Sequence, residues 1–292
     1  MFWNGVSIFY EGRTKDIMIS TASASKPALK TVLLTGAAGT LGRALAPPLR
    51  TVCERLVPSD LAEPLAALGD PRAVPCDLAD AEAVHNLLAG VDAIVHLGGV
   101  SVEKPFDVVL PANIVGAYNL YEAARRQGVK RIVFASSNHV TGCYRQDERV
   151  ATTDPARPDG YYGLSKLYGE GLASMYFDRY GIESVCLRIG SGTPAPIDRR
   201  GLSTWLSLGD LARLVIAALS APDVGFLVAY GTSDNARSWW DTAAAWERLG
   251  YVPQDASEPF APQVQHLLQP PGPMTELQGG LFLGIGPFDP DH

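Results

Sequence analysis

Three glycines, Gly36, Gly39 and Gly42, follow directly on the short apolar run 31–34 (TVLL) and precede a stretch with helical periodicity. The spacing GxxGxxG after a buried strand has a physical reading. The first glycine permits a tight turn, the second lets the backbone approach a pyrophosphate, and the third lets helix and strand pack closely. The phosphate then lies at the positive end of the helix, against the backbone of Gly36, Gly39, Thr40, Leu41 and Gly42. Pro47 and Pro48 fall inside the helix that the glycines open. An interior proline costs about 3 kcal/mol, so a short or kinked helix is expected there.

The rest of the chain repeats the pattern. Apolar runs at 55–58, 73–75, 93–97, 131–136 and 184–189 alternate with helical patterns at 80–89, 106–126 and 162–180. Strand–helix–strand alternation with nearly continuous apolar strands implies a parallel sheet covered on both faces, a doubly wound α/β fold of the Rossmann type. After residue 190 the rhythm changes. A loop rich in Gly, Pro and Arg (191–201) leads to a helix at 210–220, a strand at 225–230, a helix at 239–249 and a proline-rich tail. The expected plan is a nucleotide-binding core over 30–190 and a small substrate-binding cap over 191–292, interleaved with it. Residues 1–29 fit no period and read as a disordered leader, with Met18 as an alternative start.

Charge and composition exclude several classes. A net charge of −7 offers no basic surface to nucleic acid or to an anionic membrane. No unbroken apolar run reaches membrane-spanning length. The four cysteines form no CxxC pair and the histidines no HExxH, which points to reduced thiols in a cytoplasmic protein and to no metal site.

Asp60 ends the second strand about twenty residues beyond the glycines. A carboxylate there accepts both hydroxyls of an adenosine ribose and repels a 2′-phosphate, which favours NAD over NADP. Tyr162-Gly-Leu-Ser-Lys166 is a YxxxK sequence at a helix start, and a spacing of four puts both side chains on one face. A phenol is a poor base near neutral pH, and a nearby ammonium favours its ionised form. Ser137 closes the strand 131–136, at the sheet edge where doubly wound folds bind ligands, giving the order Ser137, Tyr162, Lys166. Tyr161 has no lysine four residues on.

The segments HLGGVSVEKPF (96–106), FASSNHVTG (134–142), DGYYGLSK (159–166), RIGSGTPAP (188–196) and LSTW (202–205) resemble the uronate dehydrogenases, extended short-chain dehydrogenases/reductases. The resemblance runs from about residue 30 to the C-terminal QGG. It implies an NAD-dependent enzyme that oxidises a hexuronic acid, D-galacturonate or D-glucuronate, at C1 to the aldaric acid lactone. It implies Tyr162 as general base and Lys166 on the nicotinamide ribose. Asp77 and Leu78 would hold the adenine edge, and Ile189 would line the nicotinamide pocket. Ser137, Asn138, His139, Ser101 and Ser191 would cradle the sugar, and Arg200 would bind its carboxylate, with Arg199 as a competitor. A homo-oligomer is expected, as in relatives. The rival readings are a nucleotide-sugar epimerase or dehydratase of the same superfamily and a non-catalytic NAD-sensing regulator.

Overall fold

The computed structural model describes residues 29–267, 271–286 and 288; the expectation for the leader falls, apart from Leu29, outside them. The elements in chain order are β1 (Leu29–Thr35), α1 (Thr40–Val52), β2 (Cys53–Asp60), α2 (Ala62–Leu68), β3 (Val74–Pro75), α3 (Ala81–Leu87), β4 (Ala93–His96), α4 (Phe106–Val109), α5 (Gly116–Gln127), β5 (Arg131–Ser137), α6 (Tyr161–Tyr180) and β6 (Glu183–Ile189). There follow β7 (Ser191–Gly192), α7 (Gly201–Thr204), β8 (Trp205–Leu206), α8 (Leu208–Ser220), β9 (Phe226–Gly231), α9 (Ala243–Leu249), α10 (Ala261–Val264) and α11 (Pro273–Glu276).

Seven strands form one sheet in the order β3-β2-β1-β4-β5-β6-β9, and every pairing within it is parallel. The continuous apolar strands split their side chains between two cores with period two. Val32, Leu34, Val95 and Val133 enter one core, with Leu45 and Leu49 of α1 and Leu211 and Leu214 of α8. Leu33, Ile94 and Ile132 enter the other, with Val84 of α3, Leu120 of α5 and Ala173 of α6. Each fully buried Leu or Ile contributes about 1.5–3 kcal/mol relative to exposure, so the sheet is fixed from both sides. The chain does not leave the core for good at residue 190, since β9 returns to pair with β6.

The strand order reverses between β1 and β4, and beyond their carboxyl ends a doubly wound sheet has its crevice. Register brings the strand ends level: Thr35 lies beside Ser59 and His96, and Ser137 beside Ile189, itself paired with Gly231.

The structure departs from the sequence expectations in three places. Helix α1 is not shortened by Pro47 and Pro48 but continues through them to Val52. Its buried stripe is Gly42, Leu45, Ala46 and Leu49, and the prolines lie off it, so packing outweighs the lost backbone bonds. The pattern at 106–126 is not one regular helix: a π-helical turn, Leu110–Val115, joins α4 to α5. The helix expected at 239–249 starts only at Ala243. Trp239 accepts the Val150 N–H through its carbonyl, and Trp240 stacks on Tyr230 with centroids 4.8 Å apart. Their indoles are used as packing pieces, not as a helical turn. Among the described residues no helix is long and apolar enough to cross a membrane.

Candidate active site

At the carboxyl edge of β1, β4, β5 and β6 opens a cleft of about 700 Å³. Its nucleotide half begins at Gly36, whose φ of +68° belongs to the left-handed region, and where a Cβ would stand 2.7 Å from the Leu97 carbonyl carbon. A side chain on Gly42 would collide with the Gly36 carbonyl. Asp60 accepts the Ala38 N–H through Oδ2 at 3.0 Å and the Leu61 N–H through Oδ1 at 2.8 Å. Those two bonds aim the carboxylate at the glycine loop and leave lone pairs for ribose hydroxyls. The residues present therefore fit a dinucleotide whose pyrophosphate meets the start of α1. Asp77 and Leu78 are not among the residues that line this cleft. The Asp77 carboxylate accepts the Ala79 N–H, and Leu78 packs against Gly98 and Gly116.

Tyr162 stands in the first turn of α6. That turn has orphan N–H groups, and Glu103 from the SVEKPF segment satisfies two of them: Oε1 accepts from Tyr161 at 2.8 Å and Oε2 from Tyr162 at 2.9 Å. The Asn113 side chain, in the π-helical turn, accepts the Val100 N–H at 2.7 Å and donates to Ser165 Oγ at 2.9 Å. The loop carrying Ser101 is thus tied to the helix carrying Tyr162.

Tyr162 and Lys166 are buried on one helix face, with Lys166 Nζ 5.5 Å from the tyrosine ring centroid and 5.3 Å from that of Phe134. Burial pushes the Tyr162 phenol up to about 12, against the lowering effect of its hydrogen bond with Ser137. Burial also pulls Lys166 down to about 8. In the chain by itself desolvation dominates both shifts, so the ionised phenol expected from the sequence calls for the positive nicotinamide as well as the lysine.

Ser101, Ser137, Asn138, His139, Ile189, Ser191 and Arg200 all line the same cleft. Arg200 Nε donates to the Gln278 carbonyl at 2.7 Å and Nη1 reaches Ser191 Oγ at 3.4 Å. The Asn138 amide, turned to satisfy both ends, accepts from Arg200 Nη2 at 2.8 Å and donates to the Ile189 carbonyl at 3.0 Å. Arg199 is exposed, so of the pair only Arg200 faces the cleft. Trp205 is a core residue whose indole N–H donates to the Thr193 carbonyl.

Sequence reasoning missed the C-terminal contribution. Gly279, Leu281 and Phe282 line the cleft, and Phe282 sits edge-on to Tyr162 with centroids 5.8 Å apart. Their segment is proline- and glycine-rich and has no periodicity, so only its docking reveals it. The buried partner of His139, Asp159, was also missed; its Oδ2 is 2.6 Å from His139 Nδ1.

The fold, the glycine loop and the serine–tyrosine–lysine group define a nicotinamide-dinucleotide oxidoreductase of the short-chain type. Residues 32–193 match the NAD dependent epimerase/dehydratase family, and a uronate dehydrogenase of Pseudomonas syringae pv. tomato is 53% identical over 273 residues, 92% of this chain and 99% of that protein. The chain belongs to the uronate dehydrogenases of this family. Among solved structures, a glucuronic acid dehydrogenase from Chromohalobacter salexigens is 48% identical, with a TM-score of 0.84 over 88% of this chain and 98% of that one. A tyrosine-to-alanine variant of uronate dehydrogenase from Agrobacterium tumefaciens, complexed with NAD, is 48% identical, with a TM-score of 0.83 over 89% of this chain and 98% of that one.

Proposed function

We propose that this enzyme oxidises the cyclic form of a hexuronic acid, D-galacturonate or D-glucuronate, at C1 with NAD+, giving the aldaric acid lactone and NADH. The observation that carries the reading is one cleft holding a buried tyrosine beside a buried lysine and, across from them, a guanidinium braced by three groups.

Bound NAD+ would supply the hydride acceptor and a positive charge that favours the phenolate. Gly36, Gly39, Thr40, Leu41 and Gly42 would receive the pyrophosphate, Asp60 the adenosine ribose, and Ile189 would line the nicotinamide side. Lys166 would hold the nicotinamide ribose and, as a cation, favours the phenolate. Asp77 and Leu78, beyond the residues that line the cleft, would hold the adenine edge.

At the sugar, Arg200 binds the carboxylate, for which a planar fork is suited. Ser101, Ser137, Asn138, His139 and Ser191 hydrogen-bond the remaining oxygens. Tyr162 Oη takes the proton of the anomeric hydroxyl as C1 loses its hydride. The ring stays closed throughout, so oxidation of a hemiacetal carbon yields a lactone.

Two further readings go with this one. Phe106, Tyr161, Leu164 and Tyr168 are exposed apolar side chains around a groove of about 320 Å³ on α4 and α6, which supports a homo-oligomer. Four unpaired cysteines are compatible with the reducing cytoplasm.

The test is NADH formation from a panel of uronates, neutral aldoses and a UDP-sugar, with NAD+ and NADP+ supplied separately. Turnover of free uronates with NAD+ is expected. Turnover of the UDP-sugar alone would overturn the reading.

A further inference from the structure

Asp159 has a place that the reaction outlined above does not use. Its side chain is fully buried, and its Oδ2 is 2.6 Å from His139 Nδ1. The carboxylate occupies space left by three glycines from three separate segments. A Cβ on Gly142, which follows the 3-10 turn Asn138–Thr141, or on Gly279, in the C-terminal segment, would collide with it. A Cβ on Gly163, in α6, would stand 3.1 Å from its Oδ1. That Oδ1 is buried without a hydrogen-bond partner among the described residues.

What the carboxylate controls is the histidine. The His139 ring is fixed on its face by Phe282, stacked at 3.9 Å, and at Nδ1 by Asp159. Tyr162 packs on it edge-on at 5.7 Å. Its Nε2 has no hydrogen-bond partner among the described residues, while the ring lines the cleft beside Ser137, Asn138 and Arg200. A neutral imidazole carries one proton, and the bond made by one nitrogen decides the state of the other. A carboxylate only accepts, so the proton belongs on Nδ1 and Nε2 keeps its lone pair. Burial holds the ring below the ordinary histidine pKa against the raising effect of the Asp159 hydrogen bond and charge, with Arg200 adding to the lowering.

We propose that Asp159 is a positioning residue for substrate specificity: it locks His139 in the Nδ1–H tautomer, so that Nε2 accepts a hydrogen bond from a sugar hydroxyl. Arginine has donors only. His139 supplies the acceptor that Arg200 lacks, so the cleft requires an O–H at that position and disfavours a group that can only accept. This inference rests on the uronate reading for the nature of the ligand, not for the tautomer.

The experiment is long-range proton–nitrogen NMR on the full-length chain with labelled histidines and bound NAD+. His139→Gln assigns the signal among the five histidines. The wild type should show His139 protonated at Nδ1 and bare at Nε2, and Asp159→Asn should move population towards the Nε2–H form. In kinetics, Asp159→Asn should raise the KM for hexuronate roughly tenfold, lower kcat less, and leave the KM for NAD+ unchanged. Adding Asp159→Asn to His139→Gln should add no further KM effect, because one residue acts through the other. A wild-type His139 protonated at Nε2, or additive effects in the double variant, would overturn the proposal. Should Asp159→Asn not fold, the wild-type spectrum decides alone. Absence of hexuronate turnover in the wild type would instead overturn the uronate reading and leave the tautomer result standing.

Discussion

Phe282 lies flat on His139, the ring centroids 3.9 Å apart and the planes inclined by 13°. The chain's C-terminal segment thus forms one wall of a site whose other parts come from the sheet edge. Beneath the stack, Gly279 N–H donates to the Gly142 carbonyl at 2.8 Å, and the Gln278 carbonyl receives Arg200 Nε.

Phe282→Ala should therefore weaken uronate binding without touching the nucleotide half. An aromatic pair is worth about 0.5–1.5 kcal/mol beyond its buried area. The KM for uronate should rise several-fold, with the KM for NAD+ unchanged. Initial rates at varied concentrations of each substrate separate the two effects.

Lys166→Met should stabilise the free enzyme while removing activity. The wild-type lysine is buried and drawn from its ordinary 10.5 to about 8. At pH below about 8 the folded and unfolded chains both carry the ammonium, and the folded chain bears the full desolvation cost, on the order of 3 kcal/mol. Between about 8 and 10.5 the folded chain sheds the proton first, and the cost fades. The Tm gain of Lys166→Met should thus be largest at neutral pH and vanish towards pH 10.5. A scan of Tm against pH checks both size and sign.

Arg200→Gln should discriminate among substrates. Hydrogen bonds to a charged group contribute about 1.5–3 kcal/mol, so the KM for uronates should rise roughly ten- to a hundredfold. The kinetics of a neutral aldose, which has no carboxylate to lose, should change far less. Since Arg200 also braces Gln278 and Asn138, the Tm of the variant is measured alongside.

Much of this arrangement was readable in the chain. Continuous apolar runs such as Val32, Leu33 and Leu34 reveal a sheet buried on both sides, and the glycine spacing locates the nucleotide half. The order Ser137, Tyr162, Lys166 was legible because a strand end and a helix face are local properties. Three things were not. The continuity of α1 through Pro47 and Pro48 depends on tertiary packing that outweighs propensity. The π-helical turn that aims Asn113 departs from the 3.6-residue period on which a helix is recognised. Gly279, Phe282 and Asp159 enter the site through contacts between distant segments, and no local pattern announces them. Spacing reveals that Lys166 is near Tyr162, but not that both groups are buried.

Tyr162→Phe, assayed for NADH formation from galacturonate and glucuronate with NAD+ binding measured in parallel, tests the account at its centre. General acid–base groups contribute about 10²–10⁴-fold to rate. Retained NAD+ affinity with kcat down by at least about a hundredfold is the predicted result. A variant that oxidises uronates at the wild-type rate would contradict it.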